Sequence, residues 1–332
     1  MNFWQKLPKP IIVLAPLADV TDAAFRRMIA KYSAHEREDG TVGGPDVFWT
    51  EFVSADGLMR ADEEGREKLM ADLKYTNEER PIVAQLFSST PKYMEAAAKL
   101  CRELGFDGVD INMGCPDRSI EKQGCGSAMI KNPENAKEII RAAKRGAGDL
   151  PVTVKTRLGY NQDELETWLP AILSESPAVV TVHARTRKEM SKVPARWERV
   201  KRAVEIRDQL GSETLIFGNG DVDSVEHAKK LAEETGADGV MLGRAIFGNP
   251  WLFHPEKDLS NVSLEERLSV MVEHTKLFSE LLSFKNFAIM KKHYKAYCNN
   301  FDGAKELRMQ LMEASNPEEV SLKVDDFLAK EV

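Results

Sequence analysis

The chain lacks several features that would settle its class at once. No apolar run approaches the ~20 residues a membrane-spanning helix needs, so no span is expected. The Ile11–Leu14 run, bracketed by Pro10 and Pro16, is too short for the core of a signal peptide. Cysteine is scarce: four in 332 residues (Cys101, Cys115, Cys125 and Cys298), none in CxxC or metal-finger spacing. Neither a metal site nor a disulfide framework is expected, and the cytoplasm is the expected compartment. An excess of positive charge is also missing. With 46 Lys and Arg against 53 Asp and Glu, the net charge is −7. That excludes indiscriminate nucleic-acid binding by the whole surface, though not one basic face. There is no low-complexity tract and no repeat beyond a strand–helix unit.

What is present is a regular alternation. Eight short apolar runs can be counted: Ile11–Leu14, Val47–Thr50, Ile82–Phe87, Val109–Met113, Val152–Lys155, Val179–His183, Leu215–Gly218 and Gly239–Leu242. Amphipathic stretches such as Lys92–Leu104, Pro133–Arg145 and Ser224–Glu234 lie between them. Buried strands alternating with helices read as a parallel sheet. Eight units over about 250 residues point to an α/β fold of the closed (β/α)8 TIM-barrel type. The segment 33–45, with Gly40, Gly43 and Gly44, reads as an inserted mobile loop. From Leu259 onward only helical patterns remain: Leu264–Leu282, Phe284–Asn299, Gly303–Ala314 and Pro317–Phe327. Ser263 with Glu266 reads as a capping box, and Pro317 suits a first helical position. A barrel domain over residues 1–255 and a helical bundle over 256–332 are expected.

Active sites of such barrels lie at the C-terminal strand ends. Polar groups recur there: Gln85, Asn112, Lys155, Arg157, His183 and Arg185. Each has a structural explanation alone, but structural residues have no reason to favour one end. Asn219-Gly220-Asp221 and Gly243-Arg244 follow the last two strands, where backbone N–H groups can approach a phosphate. The fourth strand runs into Gly114, Cys115 and Pro116. Proline stops the strand, and a thiol held there suits chemistry. On the stretch alone, a packed structural cysteine remains open. Residues 285–308 hold Lys285, Lys291, Lys292, Lys295, Lys305 and Arg308 against two acids, with His293, Tyr294, Tyr297 and Phe301 interleaved. This is either an RNA-facing stripe or a solvated helix face.

The motifs, in their order and spacing, resemble the tRNA-dihydrouridine synthases. They are Ala15-Pro16-Leu17-Ala18-Asp19-Val20-Thr21-Asp22, Thr50-Glu51-Phe52, Ile111-Asn112-Met113-Gly114-Cys115-Pro116, Val154-Lys155-Thr156-Arg157, Thr181-Val182-His183-Ala184-Arg185-Thr186, Gly218-Asn219-Gly220-Asp221 and Gly243-Arg244-Ala245-Ile246-Phe247-Gly248-Asn249-Pro250. Met290-Lys291-Lys292-His293 looks like that family's basic helix. The resemblance implies reduction of the uracil C5=C6 bond of uridines in tRNA, with FMN as cofactor and NADPH or NADH as electron donor. It implies that Pro16, Leu17, Ala18, Gln85, Lys155, His183, Asn219, Gly220, Asp221, Gly243 and Arg244 hold FMN. Cys115 is then the proton donor, since a thiol of pKa ~8.5 is mostly protonated at neutral pH. Asn112, Arg157 and Arg185 are expected on the base, and Lys291, Lys292 and Arg308 on RNA phosphate. A monomer is expected. The alternatives are ribosomal RNA as substrate, a small-pyrimidine oxidoreductase of the dihydroorotate dehydrogenase type, and an RNA-binding protein whose barrel is only a scaffold.

Overall fold

The computed structural model describes every residue except Met1, Asp39 and Val332. Eight parallel strands form the barrel wall: β1 (Ile11–Leu14), β2 (Phe48–Trp49), β3 (Ile82–Phe87), β4 (Gly108–Met113), β5 (Val152–Arg157), β6 (Val179–His183), β7 (Leu215–Asn219) and β8 (Gly239–Leu242). Their order in the sheet is β1-β8-β7-β6-β5-β4-β3-β2. The seam between β1 and β2 is closed by Asp46. Its carboxylate accepts the Ile12 N–H at 2.7 Å, and its own N–H donates to the Ile12 carbonyl at 2.8 Å.

Strand alternation explains where chemistry can sit. Even-numbered residues of β1 and β3 (Ile12, Leu14, Ile82, Ala84, Leu86) and odd-numbered residues of β4 (Val109, Ile111, Met113) pack outward against the helices. The opposite parity faces the barrel axis. At the N-terminal end those inward positions are apolar: Ile11, Val13, Trp49, Val83, Val179, Leu215, Phe217 and Met241 form one cluster, plugged by Trp4. Toward the C-terminal end the same inward set turns polar, giving Gln85, Asn112, Lys155, Arg157, His183 and Asn219 around one cavity. A slip of one residue in any strand would exchange site for core.

The barrel helices are α1 (Ala23–Tyr32), α2 (Ala55–Arg60), α3 (Glu63–Asp72), α4 (Pro91–Glu103), α5 (Pro133–Ala147), α6 (Leu165–Leu173), α7 (Trp197–Gln209) and α8 (Val225–Thr235), of which α4, α5 and α8 correspond to the three amphipathic stretches named from sequence. The segment 33–45 differs from expectation. It holds a small antiparallel pair of strands, His35–Glu36 against Val42–Gly43, and Asp39 lies outside the described residues.

Beyond the barrel lie α9 (Leu264–Leu281), α10 (Met290–Tyr297), α11 (Ala304–Glu313) and α12 (Pro317–Glu331). The Ser263 hydroxyl accepts the Glu266 N–H at 3.1 Å, while the Glu266 carboxylate pairs with Lys257 at 3.1 Å. Only the Ser263 side-chain half of the expected capping box is therefore recorded. The single helix expected over Phe284–Asn299 is instead a short 3-10 turn, Phe287–Ile289, followed by α10. Phe25 of α1 stacks on His274 of α9, with ring centroids 4.7 Å apart, so barrel and helical tail share one core. Among the described residues, no helix is long and apolar enough to cross a membrane.

Candidate active site

The cavity at the C-terminal strand ends measures about 770 Å³ and is lined by every strand-end residue singled out from sequence. Its floor is a chain of hydrogen bonds. Asp110, on β4, is fully enclosed. Its carboxylate accepts from Thr153 Oγ1 and, at 2.6 Å, from Gln85 Nε2. Gln85 Oε1 accepts from Asn112 Nδ2 at 3.1 Å. Asn112 Oδ1 in turn accepts the backbone N–H groups of Gly114 (3.1 Å) and Cys115 (2.9 Å). Burial raises the Asp110 carboxyl to about 6, against the lowering effect of the Gln85 and Thr153 bonds and of the Lys155 charge.

Cys115 stands where β4 gives way to the loop that Pro116 enforces. The loop folds back on itself: Ser127 N–H and Oγ both donate to the Cys115 carbonyl at 2.9 Å. That return needs glycine at 126, where φ is +60° and a Cβ would lie 2.7 Å from the Cys115 carbonyl oxygen. The thiol is half-buried and borders the cavity. Burial pushes it above the usual thiol value, which the Asp117 N–H, Arg157 and Lys155 only partly oppose. It is therefore a protonated thiol at neutral pH, suited to give a proton and poorly suited to act as a nucleophile. Cys125 is buried beside it with Phe87 and Ile120, and burial raises it to about 11.

The remaining wall is cationic. Lys155 donates to Asn219 Oδ1 at 3.3 Å. Burial leads in lowering it to about 8, Arg157 adds to this, and Asp110 and Cys115 act against it. The Arg157 guanidinium is already engaged. Nε donates to the Gly114 carbonyl at 2.7 Å, and Nη1 to the carbonyls of Thr186 and Met190 at 3.2 and 3.1 Å. It clamps the Cys115 loop to the loop after β6. His183 is held well below its usual value, first by burial and then by Arg157, Lys155, Arg185 and Arg244. Arg185 Nη1 lies 3.2 Å from His183 Nε2. Arginine only donates, so Nε2 accepts and the ring proton sits on Nδ1.

At the rim after β7 and β8, Asp221 links the two loops. It accepts from Arg185 Nη2 and Arg244 Nη2 and from the Ala195 N–H at 2.8 Å. The Arg185 bond leads in holding its carboxyl below the usual range. Of the five non-glycine residues with positive φ among those described, three lie on or next to this mouth: Asp19, Met190 and Asp221. Strained backbone of this kind gathers at functional sites.

The structure thus gathers Pro16, Leu17, Ala18, Gln85, Asn112, Cys115, Lys155, Arg157, His183, Arg185, Asn219, Gly220, Asp221, Gly243 and Arg244 around one cavity. It does not gather the basic stripe. On α10, His293, Tyr294 and Tyr297 follow Met290 at helical spacing and are all fully buried. They face the core and cannot alternate with cations on a surface. Lys285 also leaves the stripe: it pairs at 2.8 Å with both Glu51 and Asp72, at 12% side-chain exposure. Lys291 and Lys292 are half-buried, and Lys292 Nζ lies 3.8 Å from Asp19 near the mouth. Arg308 donates to the Cys298 carbonyl at 2.7 Å and lines a separate groove with Lys295, Lys305 and Met309. Sequence reading missed Asp110, Phe52 and Met190. The signal for Asp110 was an acid inside a fully buried strand, whereas nothing local marked Met190.

Fold and mouth together define a (β/α)8-barrel enzyme that works at the C-terminal ends of its strands. The family model described as "Dihydrouridine synthase (Dus)" matches residues 13–331. A Bacillus subtilis (strain 168) protein named "Probable tRNA-dihydrouridine synthase 2" is 40% identical over 332 residues, covering 99% of this chain and 97% of its own. A Staphylococcus aureus (strain MRSA252) protein named "Probable tRNA-dihydrouridine synthase" is 38% identical, with 99% and 96% covered. The chain belongs to the dihydrouridine synthase family. Among solved structures, a 2-naphthoyl-CoA reductase complex superposes with a TM-score of 0.52 at 13% identity, over 73% of this chain and 49% of that one. Morphinone reductase does so with a TM-score of 0.50 at 13% identity, over 73% and 85%. These two share the barrel fold.

Proposed function

We propose that this chain reduces the C5=C6 bond of uridines in tRNA to dihydrouridine, using FMN held in the barrel mouth and NADPH or NADH as the electron source. The observation that carries the reading is one cavity bordered at once by a protonated thiol, a lysine, and an anion-ready rim. Its volume, about 770 Å³, lies within the roughly 300–1,000 Å³ of small-molecule sites.

The residues present fit FMN. At Gly243 a Cβ would meet only ordinary contacts, 3.8 Å from Ala15 and 3.9 Å from Leu17. Packing does not require glycine there, so the space it leaves is available to a ligand. Asn219, Gly220, Gly243 and Arg244 would take the phosphate; Gln85, Lys155 and His183 would take the ring; Pro16, Leu17 and Ala18 would form a wall. When bound, FMN supplies the hydride that adds to C6 of the uracil. Cys115 then gives its thiol proton to C5, a role that its raised pKa favours. Lys155 would place positive charge beside the cofactor's ring system. The neutral His183, with its proton on Nδ1, is a hydrogen-bonding group and not a second acid. Asn112, Arg157 and Arg185 border the space left for the base.

We take residues 1–255 as the catalytic unit and 256–332 as the RNA-facing one. A uridine in folded RNA must be extruded to enter, at a cost of a few kcal/mol. Phosphate contacts from Lys291, Lys292 and Arg308, joined by Lys295 and Lys305, would offset that. The test is reconstitution of the purified chain with FMN, followed by dihydrouridine assay on a tRNA transcript, an rRNA fragment and free uridine, each with NADPH and NADH. Product on tRNA alone is expected. Turnover of free uridine at the same rate, or a protein that takes up no FMN, would overturn the reading.

A further inference from the structure

The floor of the cavity contains two side-chain amides whose orientations bear on everything above them. An amide can present either oxygen or nitrogen to a neighbour, and its partners decide which. Here both ends of the chain are fixed by groups without that choice. At one end the Asp110 carboxylate, ionised above its raised pKa of about 6, only accepts. At the other, the Gly114 and Cys115 backbone N–H groups only donate. Between them Gln85 turns Nε2 to Asp110 and Oε1 to Asn112, and Asn112 turns Oδ1 to the two N–H groups. The constraints from the two ends agree, so the chain runs with one polarity throughout. Its consequence is a floor of single direction: each amide donates one N–H inside the chain, and both residues line the cavity.

We infer that Asp110 is a positioning residue, which fixes the polarity of the Gln85–Asn112 chain and through it the backbone at the catalytic thiol. Asp110 is 1% exposed and does not border the cavity. It acts on Cys115 only through two intervening side chains. Thr153 donates to its other oxygen, which leaves Asp110 no freedom to turn. The inference rests on the proposed function only in calling the Cys115 thiol catalytic. The hold on the Cys115 backbone stands without it.

Asp110→Asn separates polarity from charge. Its Oδ1 can still accept from Gln85, and its Nδ2 can donate to Thr153, so the chain keeps its direction. Asp110→Leu removes the acceptor and frees Gln85 to turn, so that Asn112 keeps its two backbone donors but loses the fixed Gln85 oxygen that holds its Nδ2. The measurement is hydrogen–deuterium exchange at the Gly114 and Cys115 amides of the full-length chain, with the α12 amides as a reference for global stability. Exchange in Asp110→Asn is expected within about threefold of wild type, and in Asp110→Leu at least about tenfold faster after correction to the reference, tenfold being about 1.4 kcal/mol of lost protection. Should Asp110→Leu not fold, Gln85→Met interrupts the chain one link later and is expected to expose the same two amides. On FMN-loaded protein, Asp110→Leu should lower kcat on tRNA and leave KM for tRNA in place. Wild-type exchange in both Asp110→Leu and Gln85→Met, or equally fast exchange in Asp110→Asn and Asp110→Leu, would overturn the assignment. Failure of wild type to form dihydrouridine would count against the proposed function and leave the exchange result standing.

Discussion

Replacing Lys285 with methionine should damage the barrel and not the RNA interface. Lys285 comes from the segment after α9, but its ammonium sits between Glu51 and Asp72 at 2.8 Å from each. Burial pulls its pKa down, and the two carboxylates more than offset this, leaving it above the usual lysine value. Glu51 is raised to about 7, chiefly by burial and with Lys285 opposing. Its carboxylate also accepts the N–H of Asp19, which sits in left-handed backbone at φ 51°. Asp19 directly follows Pro16–Ala18, the wall of the cavity. Removing one partner of a buried ion pair costs about 3–5 kcal/mol. Unfolding entropy of about 2.1 cal/mol/K per residue over 332 residues gives about 0.7 kcal/mol/K. The melting temperature should therefore fall by roughly 4–7 °C at pH 8. Glu51 takes up a proton on folding between 4.5 and about 7, so its contribution to stability is full below that window and lost as pH rises through it. Without Lys285 the window extends upward, and the variant's deficit should shrink at pH 5.5, where Glu51 is neutral in the fold. Thermal melts at the two pH values and FMN titration measure this. FMN affinity should fall, with KM for tRNA unchanged. A melting temperature within a degree of wild type at pH 8, or a raised KM for tRNA with flavin binding intact, would refute the reasoning. Deleting residues 256–332 removes Lys285 as well, so a truncated chain would confound RNA recognition with damage to the cavity wall.

Other consequences can be measured separately. Gly243→Ala should weaken FMN binding by at least about tenfold, or 1.4 kcal/mol, while the apoprotein melts close to wild type, because the nearest groups lie 3.8 Å from a Cβ there; equal affinity by fluorescence titration would remove Gly243 from the cofactor site. Charge reversal of Lys305 together with Lys295 should raise KM for tRNA and flatten its dependence on salt, since each lost phosphate contact reduces the counterion slope by about 0.7–0.9; an unchanged slope would place RNA elsewhere. The raised thiol of Cys115 must be protonated to act, so single-turnover reduction of RNA should hold through neutral pH and decline only above the ordinary thiol range. A decline beginning near pH 7 would point to another acid.

The strand ends were readable in the sequence because a closed parallel barrel puts one end of every strand in one place. Gln85, Lys155, His183 and Asn219 each looked ambiguous alone and became a set once the eight runs were counted. Inside the runs, reading was coarser. Val109–Met113 passed as apolar although it contains Asp110, because burial of both faces hides the alternation that assigns that acid inward. Lys285 was misassigned for a different reason. Its partner Glu51 is 234 residues away in the chain, and a charge seen without its distant partner looks free. The same holds for His293, Tyr294 and Tyr297. Their spacing from Met290 marks one helix face, but only the packing of α10 on Phe25 and Phe247 decides that this face is buried. Left-handed Met190, pinned through its carbonyl by Arg157, follows from contacts between loops that no local pattern records.

The proton donor offers the most direct test of the proposed chemistry. Protein loaded with FMN and reduced in the absence of oxygen can be mixed with tRNA, and flavin reoxidation followed together with dihydrouridine yield, for wild type and Cys115→Ala. Wild type should reoxidise with matching product, and Cys115→Ala should bind FMN normally but react slower by roughly 10²–10⁴, the usual worth of a positioned acid. Reoxidation and product formation by Cys115→Ala at the wild-type rate would contradict it.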